Sequence, residues 1–206
     1  MGFCEKACEI VDGKNFHPYT DLEVSEVFSH DKQSCTYLSK IVSQWEGIAN
    51  LRAQKCGEKE TERRKIFFDL ESVAESMKDC FYMARDKRLS RQIFICKSHH
   101  SIDIQAIAIT ALDMSNTLNI LWLITNPRNV RGNLSGAEVS GGVKGAGSAI
   151  IYHIATHLPI GCAKVVVIPL NSSMYFYEKL GFEYESIFYM YLTVEKIREL
   201  IYHKAA

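Results

Sequence analysis

Apolar residues recur every three or four positions from Ser34 onward, at Leu38, Ile41, Val42, Trp45 and Ile48, and this spacing predicts an amphipathic helix to about Ala53. A second run of the same period, through Ile66, Leu70, Val73, Met77, Cys80 and Ala84, predicts another helix. Between them Gln54 to Lys65 is almost wholly polar and reads as a solvated turn or a frayed helix end. The pattern then changes. Ile93 to Cys96 and Ile102 to Leu112 are apolar runs flanking Ser98-His99-His100-Ser101, which is the form of a hairpin. Leu118 to Ile124 is a further strand after the turn Asp113-Met114-Ser115-Asn116, and Cys162 to Pro169 reads as a buried strand. The first 20 residues, with Gly13, Pro18 and several charges, read as a loosely held arm or an irregular first strand. Together these elements give an α/β chain, with a mixed, mostly antiparallel sheet flanked by helices on both faces. At 206 residues, that is one domain with a full core, 1–206.

Between the last two of these strands lies Gly141-Gly142-Val143-Lys144-Gly145-Ala146-Gly147-Ser148, directly before the apolar run Ala149 to Ala155. Closely spaced glycines let consecutive N–H groups turn toward one point, and a following helix adds its free amides and positive dipole end. That combination suits an anion, most naturally a pyrophosphate. A nucleotide P-loop is a poor match, because Gly136 to Gly141 is followed by Gly142-Val143 where Lys and a hydroxyl residue are needed. A dinucleotide fingerprint fails as well: Ile150 stands at the third glycine position, and no acidic residue follows at the right distance.

After the buried strand comes Asn171-Ser172-Ser173-Met174-Tyr175-Phe176-Tyr177-Glu178-Lys179-Leu180-Gly181-Phe182. Asn171 or Ser172 can cap this segment as a helix, and Gly181 can end it. Gly142 to Gly147 resembles the Q/R-x-x-G-x-G/A loop of the GNAT superfamily of N-acetyltransferases in every position but the first. Asn171 to Phe182 is similar to the superfamily's N-x-x-A-x-x-F-Y-E-K-L-G-F helix. Glycine loop, helix, buried strand and this second helix, in that order and within about 40 residues, form a specific signal. The resemblance covers roughly residues 92–192 and implies the acyl-CoA N-acyltransferase fold, with acetyl-CoA as co-substrate. The loop and helix start, Gly142, Val143, Lys144, Gly145, Ala146, Gly147 and Ser148, would bind the pyrophosphate, and Asn171 would contact the cofactor. The two predicted helices 34–53 and 66–84 would form part of the acceptor wall.

The resemblance also assigns chemistry. Transfer of an acetyl group from a thioester to an amine needs a place for the carbonyl oxygen's growing charge and a proton for the departing thiolate. Tyr177 matches the tyrosine that serves the thiolate; Tyr175, two residues away on another helix face, is its rival. Pantetheine binds in the superfamily where one strand splays from the next, which matches Leu123 to Pro127. A main-chain amide there, of Ile124 or Thr125, would face the thioester oxygen. Pro127 removes a donor and so stops the ladder. Two departures stand out. Gly142 replaces Gln or Arg, so one side-chain contact is absent, with Lys144 able to supply a charge instead. The strand 118–125 has no Asp or Glu where many relatives carry a general base. Asp113, His99, His100 and Glu138 are the alternatives, or a water chain. The segment Arg128 to Gly141, carrying Arg131, Gly132 and Gly136, lengthens the link before the loop and reads as a lid or a plain surface insertion.

Composition narrows the alternatives. Lys plus Arg and Asp plus Glu both number 24, so no basic stripe argues for nucleic acid or an anionic membrane. No apolar run is long enough to span a bilayer, charges interrupt the N-terminus where a signal peptide would be apolar, and Lys6 occupies the hydroxyl position that myristoylation of Gly2 requires. Seven cysteines at irregular spacing fit a reduced, cytoplasmic setting, and Cys4-x-x-x-Cys8 has no second pair to complete a metal site. The reading is an N-acetyltransferase acting by direct attack of an amine, on a small molecule or a protein, as a monomer or homodimer. The alternative is a non-catalytic acyl-CoA-binding or interaction module on the same fold, with a nucleotide-binding protein a distant third.

Overall fold

The computed structural model describes residues 6–11, 15–27, 31–57, 60–83, 91–99, 101–129 and 143–202. Eight strands form one sheet: β1 (Lys6–Val11), β2 (Asn15–Val27), β3 (Arg91–Ser98), β4 (Ser101–Leu112), β5 (Thr117–Thr125), β6 (Lys164–Val167), β7 (Glu183–Tyr184) and β8 (Met190–Thr193). Their order across the sheet is β1-β2-β3-β4-β5-β6-β8-β7. Every neighbouring pair is antiparallel except β5 and β6. The mixed, mostly antiparallel sheet expected from the sequence is thus present. The single parallel pair is there because a crossover helix, α3 (Ala146–Thr156), joins its strands.

The N-terminal segment is a strand pair rather than a loosely held arm: β1 and β2 pair antiparallel from Ala7–Tyr19 to Val11–Asn15, with a register shift between Lys6 and Ala7. Pro18 is accommodated because β2 bonds to β3 only from Leu22 to Val27, so at Pro18 the strand faces β1 alone.

On one face lie α1 (Lys32–Lys55) and α2 (Thr61–Met83). The helix α1 starts two residues before the first periodic position, because the Asp31 carboxylate accepts the Gln33 N–H at 3.0 Å and caps it. Such a cap contributes about 1 kcal/mol. Cys35, Leu38, Val42 and Trp45 of α1 pack with Ala74, Met77, Cys80 and Phe81 of α2 over Ile93, Ile95, Ile107, Ile109 and Ile124 of the sheet, and Ala53 packs separately with Cys56 and Phe67. The polar stretch 54–65 is mostly helix rather than turn, since only residues 56–60 separate α1 from α2. Its charges pair along the surface, Glu60 with Arg63 and Glu62 with Lys65.

The other face carries α3, the short α4 (Met174–Lys179) and α5 (Val194–Tyr202). Ala149, Ile150, Ile151 and Ile154 of α3 pack on Leu22, Val24, Phe94, Cys96, Ala106, Ala108, Leu118 and Ile120. Neither Asn171 nor Ser172 caps α4. Both lie in a 3-10 turn, Asn171–Ser173, and Ser173 at the helix start makes no side-chain cap bond.

The end of α4 follows the sequence reading closely. Gly181 has φ of 86°, its N–H bonds to Glu178 O at 2.9 Å, and Phe182 N–H reaches back to Tyr177 O at 3.1 Å. The pair of bonds closes a left-handed helix stop whose hydrophobic contact is the edge-to-face packing of Tyr177 on Phe182. A side chain at a left-handed position costs about 1–2 kcal/mol. Gly181→Ala should therefore lower the stability by roughly that amount, read as a shift of the urea midpoint at unchanged slope. An unchanged midpoint would mean that α4 ends by some other means.

Candidate functional site

The register between β4 and β5 slips by one residue: Ile109 faces Trp122, whereas Thr110 faces Ile120. Leu121 is the extra residue, a β-bulge. Two consequences follow. Side-chain parity inverts, so Leu118 and Ile120 lie in the core under α3 while Trp122 and Ile124 lie against α1 and α2. The strand also bends, and its parallel pairing with β6, which runs from Thr117–Lys164 to Ile120–Val167, ends directly before the bulge. From Leu121 to Thr125, β5 continues with β4 on one side and a gap on the other. The bulge, rather than Pro127, opens the sheet; Pro127 starts a 3-10 turn, Pro127–Asn129, that ends the ladder with β4.

Asn126 N–H bonds to Gln105 O at 2.8 Å, which fixes the alternation of the strand end. Counting back by twos, the Ile124 and Trp122 amides turn toward β4, while those of Leu123 and Thr125 turn toward the gap. Of the two amides suggested by the sequence, Thr125's is the one aimed into the opening; Ile124's belongs to the ladder, and its side chain is buried under α1 and α2.

At the same end of β5 lies the start of α3. Gly145 precedes it with φ of 81° and ψ of 2°, a left-handed conformation. The first helical bond is Ala149 N–H to Gly145 O at 2.8 Å, so the amides of Ala146, Gly147 and Ser148 are left without a backbone acceptor. With Lys144 and Gly145 they form a continuous set of open N–H groups among the described residues. Val143 is excluded from that set, because its N–H donates to Asn129 Oδ1 at 3.1 Å. Asn129 Nδ2 in turn donates to the Gln105 side chain at 3.0 Å, tying the base of the loop to β4. Gly142, like His100, Arg131, Gly132, Gly136, Glu138 and Gly141, lies outside the described residues. Gly147 serves a different need from Gly145. A Cβ there would lie 3.3 Å from Thr125 Cγ2 and 3.4 Å from the Phe176 ring, so α3, the end of β5 and α4 meet across it.

The ring of Tyr177 is buried, edge-on to both Phe176 at 5.0 Å and Phe182 at 5.4 Å. Its hydroxyl has no hydrogen-bond partner among the described residues. The fully buried side-chain polar atoms lacking a partner belong to Arg64, Arg91 and Thr110, so the Tyr177 hydroxyl retains open surface. Burial raises its pKa well above the ordinary tyrosine value, which keeps it a proton donor. Tyr175 instead points to solvent, 66% exposed, with Lys179 Nζ 4.3 Å above its ring. The structure thus separates the two tyrosines. Asn171 is exposed in the 3-10 turn and makes no side-chain contact with the loop among the described residues.

The mouth of the gap is cationic. Arg52 Nη1 donates to Pro127 O at 2.7 Å, and its pKa is lowered by burial and by the charge of Arg128 nearby. Arg128 and Lys144 are both exposed.

Asp113 cannot serve as base. It sits at the β4–β5 turn, at the other end of β5 and roughly 25 Å from Thr125 by strand rise. There its carboxylate accepts from Ser115 Oγ, Thr117 N–H, Asn119 Nδ2 and Ser115 N–H, which hold its pKa down at about 2. His99 is an exposed turn residue whose N–H bonds to Asp21 O. The sequence reading missed Leu121 and Asn129. A bulge leaves no compositional trace in so apolar a strand, and the Asn129 contact spans fourteen residues.

Two solved structures are similar to this chain in fold. A protein from Desulfovibrio desulfuricans described as a GNAT-family acetyltransferase matches at 14% identity with a TM-score of 0.50, over 84% of this chain and 99% of the other. One from Exiguobacterium sp. 255-15, described as an acetyltransferase, matches at 14% identity with a TM-score of 0.54, over 87% and 98%. The chain has the GNAT fold. No family model and no curated protein sequence matches it. No helix among the described residues is long and apolar enough to cross a membrane, and no cluster of His, Cys, Asp or Glu among them could hold a metal ion.

Two outcomes test this geometry. Gly145→Asp places a side chain at positive φ and a negative charge among the open amides, and should abolish the melting-temperature shift produced by CoA while the variant remains folded by circular dichroism. Normal CoA binding by a folded variant would move the anion site elsewhere. The second outcome concerns alkali. Burial pushes the Cys96 thiol up to about 12 and raises Tyr177 as well. Both groups keep their proton in the folded state after the unfolded chain has lost it. Their contribution is therefore complete below the unfolded values, about 8.5 for the thiol and 10 for the phenol, and is lost as pH rises through the folded ones. The urea midpoint should fall from about pH 9 upward, and less steeply in Cys96→Ala; a flat profile to pH 11 would contradict the burial of both groups.

Proposed function

We propose that the protein is an acetyl-CoA-dependent N-acetyltransferase working by direct attack of an amine. The observation that carries this reading is the convergence, at one end of β5, of a strand edge left open at the Leu121 bulge, the amides from Lys144 to Ser148, which have no acceptor among the described residues, and the buried Tyr177, whose hydroxyl has no partner among them. The residues fit the co-substrate. The amides, the helix dipole and Lys144 suit a pyrophosphate, and the absence of a side chain at Gly147 lets the start of α3 approach Thr125 and Phe176 closely. The exposed edge of β5 matches a chain of amides such as pantetheine, which can pair with a strand as another strand would.

Thr125 N–H, aimed into the gap, would stabilise the charge that develops on the thioester oxygen. The neutral amine attacks the carbonyl carbon, the C–N bond forms and the C–S bond breaks. The sulfur takes a proton from the Tyr177 hydroxyl, which recovers one from solvent, and the amine's surplus proton leaves to solvent. Tyr177 suits that role because burial keeps it protonated, so its O–H can hydrogen-bond the sulfur as negative charge develops there. No carboxylate lies in β5, so positioning and electrostatics carry the rate.

Acetyl-CoA should raise the melting temperature saturably, since a ligand that binds the folded state alone stabilises it by mass action; no shift at millimolar concentration would end the reading. Tyr177→Phe should leave that shift nearly intact and lower turnover on the order of ten- to a thousandfold. Tyr175→Phe, altering an exposed hydroxyl, should change neither. Equal, small effects from both would leave the thiolate to a water and favour a binding module without catalysis.

A further inference from the structure

The reading above leaves the acceptor open, and α2 carries a feature that bears on it. This helix packs on β5 and touches the 3-10 turn after β6, so it spans the gap on the face opposite α3. Its course is fixed by two contacts. Trp122 Nε1–H donates to Cys80 Sγ at 2.8 Å near one end, and near the other Phe67 lies under the Arg52 guanidinium, which itself binds Pro127 O. From Cys80 back to Phe67 the helix therefore follows β5 from Trp122 to Pro127, the stretch that has lost β6.

Asp69 sits on this length of α2, and its Oδ2 accepts the Ser172 hydroxyl from the 3-10 turn across the opening. The contact joins the wall formed by α2 to the segment leaving β6. Asp69 is half-buried, its other carboxylate oxygen has no partner, and no Lys or Arg neutralises it among the described residues. Its neighbours on these helices differ. Glu71 accepts from Asn50 Nδ2 at 2.7 Å, and Glu46 is paired with Lys78. Apolar side chains left exposed adjoin both ends of the contact: Phe68, 51% exposed, precedes Asp69, and Leu170, 39% exposed, lies two residues before Ser172. A carboxylate without its cation, oriented by a hydroxyl and bordered by bare apolar surface, is complementary to a molecule with an ammonium head and an apolar body.

We propose that Asp69, oriented by Ser172, binds the acceptor, and that the acceptor is a primary amine that arrives as a cation on an apolar body and gives one proton to solvent before its nitrogen attacks. The assignment rests on the acetyltransferase reading, with the co-substrate on the α3 side of the gap and the acceptor on the α2 side. It makes Asp69 an acceptor-binding residue and leaves the donor site untouched.

The test uses the full chain saturated with CoA, titrated calorimetrically with 2-phenylethylamine, its neutral analogue 2-phenylethanol, and spermidine as a polycation without an apolar body. Binding of 2-phenylethylamine in clear preference to both others is expected. Asp69→Asn keeps an acceptor for the Ser172 hydroxyl and removes the charge, and should weaken 2-phenylethylamine on the order of ten- to a hundredfold, with CoA affinity unchanged. With acetyl-CoA as donor, the same variant should show a raised amine KM and a smaller change in kcat. Ser172→Ala keeps the charge and should cost less. Equal binding of amine and alcohol, or preference for spermidine, would overturn the proposal. So would an Asp69→Asn variant that binds the amine like the parent while Ser172→Ala fails, since the contact would then only hold the turn in place. Loss of CoA binding by the unmodified chain is a separate result, and strikes at the acetyltransferase reading itself.

Discussion

One extra residue in β5 governs the rest. β6 pairs with β5 along its whole length and ends at Val167 opposite Ile120, directly before the bulge at Leu121, so the backbone groups of Leu123 and Thr125 on that edge are not spent on a ladder. With the bulge, the strand stays anchored to β4 while its other edge comes free, so the sheet keeps its stability on one side and exposes hydrogen-bonding capacity on the other. The inverted parity then lets a single strand serve two cores, Leu118 and Ile120 beneath α3 and Trp122 and Ile124 beneath α1 and α2. Alternating patterning without the bulge would have put all four on one face.

Around this opening, glycines perform three distinct tasks. Gly145 supplies a left-handed turn into α3, Gly147 lets three elements meet at van der Waals distance, and Gly181 ends α4 so that Phe182 can fold back on Tyr177. Only the first concerns a ligand's charge directly. The other two set the position of α4 and therefore of the tyrosine. The Asn129 side chain adds a further constraint, because by holding the Val143 N–H and the Gln105 amide it anchors both sides of the insertion to the end of β4.

Much of this was legible in the chain. The helical periods of α1 and α2, the hairpin of β3 and β4, the crossover at α3 and the stop at Gly181 all follow from local chemistry: apolar spacing, turn residues and the conformational freedom of glycine. What was not legible depends on pairing partners. Pro18 argued against a regular strand, yet it fits because β2 has a neighbour on one side only at that point. Asp113 is chemically a fair candidate for a base, and only the direction of β5 shows that it occupies the far end of the strand, committed to its own turn. Tyr175 and Tyr177 were separable in principle by helical phase. That Tyr177 is the buried one depends on where α4 begins, which the displaced start at Ser173 decides.

The sheet divides the molecule into two cores that share few side chains, and this sets how two substrates can meet. A cofactor whose phosphates bind at the start of α3 approaches from one face, while α1 and α2 seal the other except where β5 and β6 separate. The free edge of β5 beyond Leu121 thus lies between the two cores, with charged groups of both signs near it. Arg128 and Lys144 are exposed, Lys144 directly before α3, whereas on the side of α1 and α2 Arg52 is held by Pro127 O and lies over Phe67, and Asp69 has no ion-pair partner among the described residues. A chain with no net charge can in this way hold local fields of opposite sign near one strand edge, and under the proposed function these would favour an anionic donor from the side of α3 and a cationic acceptor from the side of α2.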